Sequence, residues 1–176
     1  MINELIYLFP TAIAGVDFTV QDDGSGPVIT SWNSGKLGTQ PTATEISNAT
    51  AAATLVFTKT ANIAVLQAAY QTAINAPVTF KNAAGVTSTY TFGSTLTHGG
   101  TNAQELLTQI LSAGSTAWTA GVWFDTAGVA QAMTFADLQG LASAVEAMET
   151  PDEQHLMTKI AAVQAQNSFP YVEVIW

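Results

Sequence analysis

The sequence predicts an α+β fold: an N-terminal β-hairpin region, a central helix, two successive ββα units, and a last helix with a short C-terminal strand. Three observations carry this. Short runs alternate in polarity and close on glycine-bearing turns. Between them, apolar residues recur at helical spacing. One order of elements, hairpin then helix, occurs twice in the C-terminal half.

The elements follow in order. Met1-Ile-Asn-Glu-Leu-Ile-Tyr-Leu-Phe-Pro10 is a short apolar run ended by proline, and it reads as a first strand. Glu4 and the lack of a basic residue make it a poor signal peptide. Val16-Asp-Phe-Thr-Val20 alternates as a half-buried strand does. Gln21-Asp-Asp-Gly-Ser-Gly26 supplies a turn, and Val28-Ile-Thr-Ser-Trp32 returns as its partner strand. Residues 33–41 are rich in breakers and read as a loop. These form an N-terminal β region, 1–41.

A helical connector follows over 42–76. Thr42-Ala-Thr-Glu45 has capping-box spacing after Pro41. Ile63, Leu66, Ala69, Tyr70, Ala73 and Ile74 mark one apolar face, and Asn75-Ala-Pro77 stops the helix. Leu55-Val-Phe-Thr58 favours β structure, so one helix and a broken one are both open.

Residues 77–176 form a C-terminal α+β domain. Val78-Thr-Phe80 and Val86 to Phe92 make a hairpin around Asn82-Ala-Ala-Gly85. Asn102-Ala-Gln-Glu105 then caps a helix that buries Leu106, Leu107, Ile110 and Leu111 and ends at Gly114. The order recurs. Gly121 to Phe124 and Val129 to Phe135 pair around Asp125-Thr-Ala-Gly128, and Thr134-Phe-Ala-Asp137 caps a helix carrying Leu138, Leu141, Val145 and Met148. Thr150-Pro-Asp-Glu153 is a start signal for a last helix. Pro170-Tyr-Val-Glu-Val-Ile-Trp176 alternates as a short strand.

Composition excludes several functions. Apolar residues make up 48% of the 176 and charged residues 10%, so the chain should fold rather than stay disordered. Four lysines, no arginine and thirteen acids give a net charge of −9. A nucleic-acid face needs clustered cations to displace counterions, and this chain lacks them. The same deficit argues against anionic membranes, and no uninterrupted apolar run reaches the ~18 residues a bilayer span requires. The absence of cysteine removes disulfides, thiolate zinc sites and cysteine nucleophiles.

Catalytic motifs are missing. His98 and His155 lack the spacing of converging metal ligands. His98-Gly-Gly100 lacks the nucleophile elbow an esterase would need. No glycine-rich nucleotide loop occurs. The Asp22-Asp23 turn lacks the distant glutamate of a calcium loop. The expectation is a non-enzymatic protein with no cofactor that works through its surface. Tryptophan is a favoured interface anchor, so Trp123, Tyr171, Trp176, Trp118 and His98 are the partner-contact candidates. Asp125, Asp137, Glu146, Glu149, Asp152 and Glu153 crowd into one stretch, either a solvated face or a patch that steers a basic partner.

Asp17-Phe-Thr-Val-Gln-Asp-Asp-Gly-Ser-Gly26, Ile29-Thr-Ser-Trp-Asn33 and Gly38-Thr-Gln-Pro-Thr42 with Glu45-Ile46 resemble the opening of short bacteriophage tail-fibre-region proteins, of the minor tail or tail-fibre assembly type. Trp118, Phe124-Asp-Thr-Ala-Gly128 and Met133 to Ala142 are similar to an uncharacterised C-terminal phage tail domain. The similar pieces cover about two-thirds of the chain. The resemblance implies a tail-associated protein that binds the tail fibre or tail tip as a structural component of the virion, made in the host cytoplasm. It supplies no catalytic residue. A fibre-assembly chaperone absent from the mature virion and a glycan-binding adhesion module are the alternatives. The implied partner is a phage tail or tail-fibre protein, with homo-oligomers in the virion also open.

Overall fold

The computed structural model describes residues 1–92, 103–119 and 121–176. The chain is α+β, as expected. It divides into two compact units, one of residues 1–64 and 162–174, the other of 65–161 and 175–176. Among the described residues the strands form three separate two-stranded antiparallel sheets.

The first unit opens with a correction. Ile2–Leu8 is a helix, α1, and not a strand. Its apolar residues sit at 2, 5, 6 and 8, which is helical spacing, and so short a run cannot be assigned by hydrophobicity alone. Leu5 is fully buried with Phe18 and Ile46. Strands β1 (Phe18–Asp22) and β2 (Pro27–Trp32) form the expected hairpin. The 33–41 loop contains a helical turn, α2 (Ser34–Leu37), capped by Asn33, whose side chain accepts from the Lys36 N–H at 3.2 Å. Trp32 closes this core edge-on to Phe9 at 4.9 Å, and its indole N–H donates to the Gly38 carbonyl at 2.9 Å.

Helix α3 (Ala43–Ile74) is continuous. The capping box forms as predicted: the Thr42 N–H donates to Glu45 at 2.7 Å, and the Glu45 N–H to the Thr42 hydroxyl at 3.2 Å. The β-favouring Leu55 to Thr58 stretch does not break it. Threonines 50, 54, 60 and 72 turn their hydroxyls onto the carbonyl four residues back and so stay within the helix. Helix α3 is long and apolar enough by mean hydropathy to cross a membrane, although Thr58, Lys59, Thr60 and Asn62 interrupt its apolar run. Two of its central polar residues bond other parts of the chain: Lys59 donates to the Gln164 carbonyl at 2.9 Å, and the Asn62 amide to the Val174 carbonyl at 2.8 Å.

In the second unit the repeat is visible in atomic detail. Strands β3 (Val78–Lys81) and β4 (Thr87–Tyr90) pair, as do β5 (Val122–Phe124) and β6 (Ala130–Ala132). The two turns use the same chemistry. Asn82 and Asp125 each accept a backbone N–H with their side chains, from Val86 at 2.8 Å and Val129 at 2.9 Å. Gly85 and Gly128 take φ of +83° and +77°, where a Cβ would be strained. Helix α4 (Ala103–Ala113) ends at Gly114, as expected. The predicted cap at Asn102 lies outside the described residues.

Helix α5 (Phe135–Ala165) corrects the expectation of a separate last helix. Pro151 lies inside it, although an internal proline loses one hydrogen bond and costs about 3 kcal/mol. Burial of Val145 before it and Leu156 after it opposes a break. Both hairpins of this unit share one core with α4 and α5, with Tyr90, Phe92, Leu107, Trp123, Leu138 and Leu141 at its centre. Gly140 lets α5 approach so closely that an added Cβ would lie 3.0 Å from the Phe80 ring. The expected C-terminal strand is also corrected: the tail runs without strand pairing.

Asp137 joins these pieces. Its carboxylate accepts the Thr134 N–H at 2.8 Å and the Thr134 hydroxyl at 2.7 Å, completing the predicted capping box of α5. It also accepts the Ala83 N–H of the first turn at 2.7 Å. Burial works to raise its pKa, but the Thr134 and Ala83 bonds outweigh burial and hold it below the ordinary 3.8. The bonds therefore stabilise fully above pH 3.8 and are lost as the pH falls through the lowered native value. Asp137→Ala should destabilise the protein by about 2 kcal/mol at pH 7 in urea unfolding. The gap from wild type should narrow as the pH drops below 3.8.

Candidate partner-binding surfaces

In the first unit, a buried carboxylate orders an apolar loop. Asp17 accepts the Ile13 N–H at 2.9 Å, the Asn33 side-chain amide at 3.4 Å, and the Lys36 ammonium at 2.6 Å. Its own carbonyl accepts the Asn33 N–H at 2.8 Å. The Lys36 bond, then that from Ile13, holds the carboxyl below its ordinary pKa despite burial. This network fixes the loop between α1 and β1, which shows Ile13 (55% exposed) and Val16 (73%) to solvent. Ile13 and Val16 are thus large apolar side chains presented on an ordered backbone.

In the second unit, alternation along β5 sorts the candidates. Trp123 points inward, buried and stacked 6.2 Å from Phe92, with Trp118 6.3 Å away. Trp118 is half-buried and donates its indole N–H to the Met133 carbonyl at 2.8 Å. The hairpin instead shows Val122, Phe124 and Val129 to solvent. Trp176 lies at the surface, stacked on His155 at 4.8 Å with 15° between the rings, and 6.3 Å from Tyr70. Burial, then Glu153, Glu149 and Asp152, raises the Tyr70 pKa, so part of the predicted acidic crowd surrounds this aromatic group. Asp125 and Asp137 belong to a turn and a cap instead. His98 lies outside the described residues.

Tyr171 leads to two residues that the sequence reading missed. Its hydroxyl donates to the Asn62 side-chain oxygen at 2.6 Å. That oxygen also accepts the Val174 N–H at 2.9 Å, while the Asn62 amide donates to the Val174 carbonyl at 2.8 Å. Gln166 repeats the pattern, accepting the Val172 N–H at 2.8 Å and donating to its carbonyl at 2.7 Å. The available signal was that Asn62 stands four residues before Leu66 and seven before Ala69, in line with the apolar face of the helix.

Among the described residues no three of His, Asp and Glu gather as metal ligands would. A groove in the first unit, lined by Met1, Glu4, Val20, Pro27 and Thr54, is open and holds one carboxylate.

Residues 1–55 match the family model of the phage-related XkdW protein. The match supports a phage protein family. It covers α1, the first hairpin, the Asp17 network and the start of α3, and does not extend over residues 56–176. No curated protein and no solved structure matches the chain.

The amide pairings carry a direct expectation. In Asn62→Ala, the Val174 amide loses its acceptor and should exchange with solvent at least about tenfold faster by NMR, a change worth roughly 1.4 kcal/mol. The Val172 amide, held by Gln166, should change far less.

Proposed function

We propose that this chain is a non-enzymatic, tail-associated bacteriophage protein that binds the tail fibre or tail tip as a structural component of the virion. The observation that carries the reading is the match of residues 1–55 to a phage-related family, over the segment where the Asp17 network fixes the exposed Ile13 and Val16. The ordered resemblance of the C-terminal stretch to phage tail proteins supports placing it at the tail. Its contacts would be made by fixed apolar loops and hairpin faces, Ile13 and Val16 in one unit and Val122, Phe124 and Val129 in the other. The net charge of −9 suits a polar or basic protein partner and disfavours nucleic acid.

Mass spectrometry of purified particles tests this reading. The protein should be present at a fixed ratio to a tail component. Its absence from particles, with co-purification of immature fibre, would replace the structural role by that of an assembly chaperone. Absence from both would refute a tail role. In virions carrying Val16→Asp, incorporation should fall at least about tenfold while the purified variant melts within a few degrees of wild type, because the residue touches solvent and not the core.

A further inference from the structure

The tail of the first unit is held in an unusual way. In an antiparallel sheet, a residue exchanges its N–H and C=O with one residue opposite, and residues two apart offer these groups to the same edge. A primary amide carries the same pair of groups, one donor and one acceptor. Asn62 and Gln166 each use both, on Val174 and Val172 respectively. Their four bonds, between 2.7 and 2.9 Å, follow the strand period along one edge of the tail. The two amides therefore stand in for a neighbouring strand. Tyr171 adds side-chain recognition through its bond to the buried Asn62.

We infer that Asn62 and Gln166 form a peptide clamp, and that it can take the C-terminal segment of a second copy of this chain in place of its own. The occupant that fits is the chain's own tail, since residues 171–174 are seated in the clamp. To reach the clamp in cis, the chain must leave α5 at Ala165 and fold back across the exposed residues 167–170, so that Gln166 bonds Val172 six residues on. Straightening that reversal releases the tail without breaking α5. Reciprocal exchange between two copies replaces every clamp bond with an identical one, and the two-fold arrangement closes on itself. Phe169 and Val172, which are 48% and 67% exposed in cis, offer apolar surface to the second copy. The inference does not depend on the proposed tail role.

Two full-length variants test it by complementation. V172P/V174P removes the two N–H groups the clamp accepts and leaves the clamp intact. N62A/Q166A removes the clamp and leaves the tail intact. Each alone should sediment as a monomer of 18.4 kDa, and the mixture should give a species of twice that mass. A mixture of folded variants that stays monomeric overturns the inference. Should N62A/Q166A fail to fold, a fluorescent peptide of residues 167–176 added to V172P/V174P decides the question by anisotropy. Saturable binding, weakened at least tenfold by adding Q166A, is expected. No binding overturns the clamp. Equal binding of a scrambled peptide would show a general backbone site and overturn the second copy as its specific occupant.

Discussion

A two-stranded hairpin in water is marginal by itself, since one face has nothing to bury against. The described strands here form only such hairpins, so each must lean on a helix. That constraint organises the second unit. Phe80 and Trp123, at matching places in the two hairpins, turn inward onto the same core as Leu107, Leu138 and Leu141. Gly140 is the local consequence, because α5 lies against the Phe80 ring too closely for a side chain.

Few charged residues are available to fix such an arrangement, and side-chain bonds to backbone do much of that work. Asp137 caps α5 and holds the first turn. Asn82 shapes its own turn and donates to the Ala132 carbonyl of the second hairpin at 2.9 Å. Asp17 does the comparable job in the first unit. Each buries a polar group at low cost because its partners are met within hydrogen-bond distance. Asn62 and Gln166 extend the same chemistry to the chain's last segment, which is why the tail needs no strand beside it.

For the proposed binding role, this rigidity is what matters. Among the exposed residues, Ile13, Val16, Val122 and Val129 are apolar and sit on a loop and a hairpin whose backbones are tied down. Such surfaces lose little conformational freedom on binding, which favours a specific contact. The phage-related match covers the loop with Ile13 and Val16 and stops within α3, so it bears on the first unit and leaves residues 56–176 unmatched.

The sequence by itself determined the α+β class, all three hairpins, the capping boxes at Thr42 and Thr134, and the repeated turn with its glycines. These depend on neighbours within a few residues, so they are written locally. It misassigned α1, where seven residues are too few for periodicity to decide between helix and strand. It also divided α5 at Pro151, where a strong local start signal yielded to burial on both sides. Only the tertiary structure decided which tryptophans face inward, because alternation fixes opposite sides of a strand without saying which side meets the core. The pairing of Asn62 with a segment more than a hundred residues away was beyond local reading for the same reason. A side-chain amide has no preferred partner until folding brings one to it.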